Sequence, residues 1–125
     1  MKLTSLTKIA IKEALKSNHK QKTGAVIFSG KRIISVGFNQ PFRSVKTATF
    51  KYFKRRHSLH AEIAAILKAK CNLRGKSILV VRINNKNELR NSKPCQYCQS
   101  YLEFVGIKDI YFSNNNGSIE HVCNL

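Results

Sequence analysis

Long apolar runs are missing from this 125-residue chain: no window approaches the roughly 18 apolar residues of a membrane span. The first stretch, MKLTSLTKIAIKEALKS, spreads lysines through the place where a signal peptide keeps its apolar segment, so a soluble, cytoplasmic protein is expected. Cysteine is sparse. Four thiols at 71, 95, 98 and 123 are too few and too unevenly placed for a secreted disulfide scaffold. Proline and glycine, at 2 and 6, form no linker, and no repeat is present, so one domain spanning 1–125 is expected. Negative charge is scarcest of all: 6 Asp and Glu stand against 23 Lys and Arg, giving a formal +17, and Asp109 is the only aspartate.

What is there begins with that charge. Between Ala14 and Ala61 stand 11 basic residues and not one carboxylate, a stretch that repels itself unless a polyanion is near. The 16 Lys and 11 Asn also suit AT-rich coding, but such coding does not by itself remove acids. A polyanion-binding surface is the favoured reading. Hydrophobic residues make up 42% of the chain, ordinary for a folded protein.

The apolar pattern predicts an amphipathic helix over Thr4 to Lys16, with Lys8, Lys12 and Lys16 on one face. A hairpin follows, Gly24 to Phe28 and Ile33 to Phe38 around Ser29-Gly30-Lys31-Arg32. Asn39 to His57 reads as a long basic loop, since Pro41 argues against a continuing strand. Leu59 to Lys70 reads as a second helix capped by Ser58, and Ser77 to Ile83 as a strand covered on both faces. Lys93 and Pro94 open a third helix that Gly106 ends. Ile107 to Ser113 and Ser118 to Cys123, joined by an Asn-rich turn, read as an antiparallel pair. The order α-ββ-α-β-α-ββ implies an α/β three-layer sandwich: a mixed five-stranded sheet with helices on both faces and a hairpin at its end.

Chemistry concentrates at two helix starts, His60-Ala61-Glu62 and Pro94-Cys95-Gln96-Tyr97-Cys98. Cys95 and Cys98 are three apart, so two thiolates can take adjacent corners of a zinc tetrahedron, with His60 as third ligand and water as fourth. Glu62 is then placed to move protons without ligating. Zn2+ is the expected cofactor. Two rivals to this reading leave residues unexplained or displace the water. A redox Cys-x-x-Cys gives His60 and Glu62 no role. A closed Cys₂His₂ site using His57 would make a non-enzymatic zinc-organised nucleic-acid-binding module. Cys71 and Cys123 read as small packing residues, and a second metal at His121 and Cys123 is a weak pattern.

His-x-Glu with Pro-Cys-x-x-Cys resembles the zinc-dependent cytidine and deoxycytidylate deaminase superfamily. Gly24-Ala25-Val26 and Gly37-Phe38-Asn39 resemble its first two strands. The resemblance implies zinc on His60, Cys95 and Cys98, Glu62 as general acid and base, Asn39 against the substrate's sugar or base, and the Ala61 backbone against the base's amide edge. An interval of 31 residues separates Glu62 from Pro94 and holds an insert, Asn84 to Asn91. The hairpin ending resembles the free-cytidine branch.

Phe42, Tyr52 and Phe53 interleave with Arg43, Lys54, Arg55 and Arg56 just before His60, offering stacking platforms for unpaired bases and cations for phosphates. The expected activity is hydrolytic conversion of cytosine to uracil in single-stranded or looped nucleic acid, RNA ahead of DNA. Free cytidine, deoxycytidine or deoxycytidylate is the alternative substrate class, and adenosine in transfer RNA a third. Nucleic acid is the expected partner, no membrane is, and a homo-oligomer is compatible with the sequence.

Overall fold

The computed structural model describes residues 3–18, 20–41 and 58–123. In chain order the elements are α1 (Leu3–Ala14), β1 (Lys22–Ser29), β2 (Arg32–Phe38), β3 (Gln40–Pro41), β4 (Ser58–Leu59), α2 (Ala61–Ala69), β5 (Ser77–Ile83), β6 (Leu89–Arg90), α3 (Gln96–Val105), β7 (Asp109–Ser113) and β8 (Ile119–Cys123). The main sheet runs β2-β1-β5-β7-β8, with β6 added to β5. Pairing is antiparallel except between β5 and β7, which are parallel. This is the mixed sheet with a terminal antiparallel hairpin that the sequence implies.

The alternation of β5 divides the core. Ile78 and Val80 pack on one side with Ala61, Ile63, Ala64, Ala65, Cys98 and Leu102 from α2 and α3. Leu79 and Val81 pack on the other with Leu6 and Ala10 of α1. A strand buried on both faces reads as a continuous apolar run, and β5 is the central strand.

Two glycines let the helices approach. A Cβ on Gly24 would stand 2.1 Å from the Ala10 carbonyl oxygen and 2.7 Å from the Ala14 nitrogen, so α1 lies directly on β1. A Cβ on Gly37 would stand 2.5 Å from the Ala65 nitrogen and 2.7 Å from the Ala61 oxygen, so α2 lies directly on β2. The Ser35 hydroxyl, two residues away on the same strand, donates to the Ala65 carbonyl at 2.7 Å and fixes α2 along that strand.

Several expected boundaries shift. α1 ends at Ala14: Leu15 N still bonds Ile11 O, but the two amides after it turn back only three residues, Lys16 N to Glu13 O and Ser17 N to Ala14 O. Ser58 does not cap α2; it pairs in β4, and His60 is the N-cap. Pro94 precedes the first turn of α3, whose N-cap is Cys95. Pro41, read against strand structure, belongs to the two-residue ladder of β3 with β4, a pairing short enough to tolerate a missing amide. The 84–91 insert carries a sixth strand, β6, that no sequence period announced. β7 and β8 start at Asp109 and Ile119, later than expected.

Candidate metal centre and cavity

Both His60 and Cys95 are N-cap residues, in extended conformation, and neither side chain caps its helix. Their carbonyls accept the first helical bonds, from Ala64 and Gln99, while the side chains are released toward each other. His60 Nδ1 lies 3.1 Å from Cys98 Sγ and 3.6 Å from Cys95 Sγ. All three donor atoms fall within 4.8 Å of one another. Around zinc, bonds of about 2.0–2.3 Å place tetrahedral donors about 3.6–3.8 Å apart, a spacing within about half an ångström of both of these distances, and an imidazole with two thiols suits zinc chemically. Among the described residues it is the one such group of three.

The electrostatics favour thiolate character at Cys95. The Cys95 thiol is pulled down to about 3, chiefly by its hydrogen bond with Cys98 and further by His60, against the cost of burial. Cys98 is pushed up for the reciprocal reason and by its burial. Two helix N-termini meeting here add positive potential. Glu62, only 4% exposed, is raised above the ordinary carboxyl range, first by burial and then by Cys95, while its backbone hydrogen bond and His60 oppose the rise.

Glu62, His60 and Ala61 open onto a cavity of about 360 Å³, lined among the described residues also by Gln21, Thr23, Asn39 and Ser92. That size is at the lower end of small-molecule sites, about 300–1,000 Å³. Asn39 is on the cavity wall, and its amide is engaged by the fold: Oδ1 accepts from Thr23 N at 3.0 Å and Nδ2 donates to Gln21 O at 2.7 Å. Phe42, Arg43, Tyr52, Phe53, Lys54, Arg55 and Arg56 lie outside the described residues. Cys71 and Cys123 are exposed, not packed in the core. His121 is engaged by Asp109 at 2.8 Å and stacks on Tyr111, which leaves no second metal cluster among the described residues.

Gln21, Thr23 and Ser92 were not read as site residues from the sequence, although the first two stand just before Gly24 and the third two residues before Pro94. Ser92 anchors the approach to Cys95. Its hydroxyl donates to Val80 O at 2.7 Å and stands 2.8 Å from the hydroxyl of fully buried Ser113, which donates to Arg90 O at 2.6 Å. Two hydroxyls thus tie the loop before α3 to β5 and β7.

The family model described as the cytidine and deoxycytidylate deaminase zinc-binding region matches residues 1–114. No curated protein matches the chain. Among solved structures, the deoxycytidylate deaminase of cyanophage S-TIM5 aligns over 92% of this chain and 86% of its own, at 22% identity and a TM-score of 0.63. Cytidine deaminase from Burkholderia pseudomallei aligns over 98% and 93%, at 19% identity and a TM-score of 0.67. The Thermotoga maritima diaminohydroxyphosphoribosylaminopyrimidine deaminase/reductase aligns over 86% of this chain and 28% of its own, at 25% identity and a TM-score of 0.56.

Proposed function

This chain belongs to the cytidine and deoxycytidylate deaminase family, a family of zinc-dependent hydrolytic deaminases, and from that premise we propose that it deaminates the cytosine ring of a free nucleoside or nucleotide. The observation that carries the reading is a buried carboxylate, Glu62, beside the His60, Cys95 and Cys98 donors on the wall of a cavity sized for one small molecule. The terminal β7–β8 hairpin supports the same substrate class, as the ending of the free-cytidine branch.

His60, Cys95 and Cys98 would hold the ion. When bound, zinc would supply Lewis acidity that lowers the pKa of water toward about 7. Glu62 takes the proton of the attacking water, delivers it to the ring nitrogen, and assists departure of ammonia. Its burial keeps bulk water from competing for that proton. The Ala61 backbone, at the start of α2, orients the amide edge of the base. Asn39 acts by holding Gln21 and Thr23 in the wall.

A second reading, cytosine in single-stranded or looped nucleic acid, is favoured by one observation, the +17 charge with no carboxylate between Ala14 and Ala61. Turnover of cytidine, deoxycytidine, deoxycytidylate, single-stranded DNA and RNA oligonucleotides, and adenosine compared side by side decides between them. Conversion of the free compounds at least as efficient as that of any oligonucleotide is expected. An oligonucleotide preferred by orders of magnitude at low salt reverses the order of the two readings.

A further inference from the structure

Beyond the lining residues Thr23 and Asn39 the sheet continues into a row of residues that do not themselves line the cavity. In the register, Thr23 stands opposite Arg82, and Arg82 stands opposite Arg90. The backbone N–H of Asn39, just past the end of β2, donates to the Thr23 carbonyl, completing a row of Asn39, Thr23, Arg82 and Arg90 that crosses β1, β5 and β6. Directly opposed residues share a face of the sheet. This face is the one that carries α2 and α3, since Ala25 and Val80, two residues further along β1 and β5, pack with those helices. Thr23 and Asn39 line the cavity at one end of the row, and Ser92, which also lines it, is two residues from Arg90 at the other.

Two arginines directly opposed repel each other. Arg90 has a counter-charge, Glu88, at 3.4 Å and donates also to Asn115 O. The half-buried Arg82 guanidinium has neither hydrogen bond nor ion pair among the described residues, and only its backbone amide is engaged, by Ser113. No acidic side chain outside the described residues can supply the missing charge, because all six, Glu13, Glu62, Glu88, Glu103, Asp109 and Glu120, lie within them. A partly desolvated guanidinium with five donors and no acceptor is costly unless an anion joins it.

We propose that Arg82, supported by Arg90, is a phosphate-recognition residue beside the cavity's lining residue Thr23, so that the substrate is a cytosine nucleotide in preference to a nucleoside. The assignment rests on the deaminase reading for the base and on the arginine row for the phosphate. Arg suits the task because its planar fork meets phosphate oxygens in pairs. The 84–91 insert brings Arg90 into place by adding β6 to β5.

The test compares kcat/KM for deoxycytidylate and deoxycytidine in the zinc-loaded full chain and in Arg82→Gln, with Lys31→Gln, in the turn at the far end of β1, as the charge-matched control. Wild type and the control should prefer the nucleotide, and Arg82→Gln should lose about ten- to a hundredfold of that preference, chiefly in KM. Inorganic phosphate should raise the melting temperature of wild type and of Lys31→Gln but not of Arg82→Gln, a readout independent of turnover. Should Arg82→Gln fail to fold, Arg82→Lys carries the test: charge without the fork should lower the preference several-fold. Equal use of the two substrates by wild type, or a preference that survives either Arg82 variant, overturns the proposal while leaving deamination intact. A loss confined to oligonucleotides moves the contact to a strand's phosphodiester and overturns the free-nucleotide assignment. If no cytosine compound is turned over yet the phosphate effect still depends on Arg82, the deaminase reading fails and the anion site stands.

Discussion

At His60, Cys95 and Cys98 three donor atoms converge, and the proposed function gives the neighbouring Glu62 carboxylate a different task, so single substitutions should separate the two roles. Cys98→Ala removes a fully buried donor and is expected to abolish zinc retention, read as metal per chain. Glu62→Gln keeps size and hydrogen-bonding capacity; it should retain one zinc and a normal melting curve while turnover falls about 10²- to 10⁴-fold, the usual share of positioned acid–base catalysis. Undiminished turnover in that variant would sink the mechanism. Asn39 is the instructive contrast. Resemblance assigns it to the substrate, whereas its amide closes the wall between Gln21 and Thr23. Asn39→Ala leaves two backbone groups without partners and should cost about 2 kcal/mol or more of stability, measured by denaturant unfolding. If stability does not change, the amide is free to serve the substrate and the structural role is wrong.

Helix α2 shows how an element turns a packing constraint into chemistry. It carries Glu62 in its first turn, His60 is its N-cap residue, and its distance from the sheet is set by Gly37. Gly24 plays the same packing role beneath α1, which bears none of the site. Gly37→Ala and Gly24→Ala should therefore both destabilise, by about 1–3 kcal/mol or more, since the obstructing atoms are backbone. Only Gly37→Ala should also weaken zinc affinity, because lifting α2 moves His60 away from Cys95 and Cys98; equal zinc affinity in the two variants would refute that coupling. At this scale much was legible in the sequence. β5 announces itself as central by an apolar run, and the two helix starts announce the donors by spacing. What was not legible depends on pairing partners. Two-residue strands such as β3, β4 and β6 have no period, and Ser58 is the better intrinsic cap than His60 until β4 recruits it. The opposition of Arg82 and Arg90, like the bond between Ser92 and Ser113, exists only once the register is known.

Over the whole molecule the charge and the cavity make different demands. The cavity has room for one small molecule, and a single phosphate needs one or two cations, yet the chain carries 23. Six of them, Arg43, Lys46, Lys51, Lys54, Arg55 and Arg56, fall in a stretch with no acid. Cations in such excess create a long-range potential that gathers polyanions whether or not the site acts on them. Association with a single-stranded oligonucleotide should thus weaken steeply with salt, the slope of log K against log salt growing by about 0.7 for each phosphate neutralised. If Lys54, Arg55 and Arg56 all meet the strand, replacing the three by Ala should flatten the slope by about two units. An unchanged slope would shift the footprint to the Lys8, Lys12 and Lys16 side of α1. Fluorescence anisotropy across a salt series measures this without any turnover, and set beside the substrate comparison it distinguishes a strand that is merely held from one that is deaminated. Steep salt dependence together with efficient turnover of free nucleotide alone would mean that the positive field and the zinc site serve separate ends. Steep dependence with oligonucleotide turnover that falls in parallel as salt rises would mean that the field delivers the substrate.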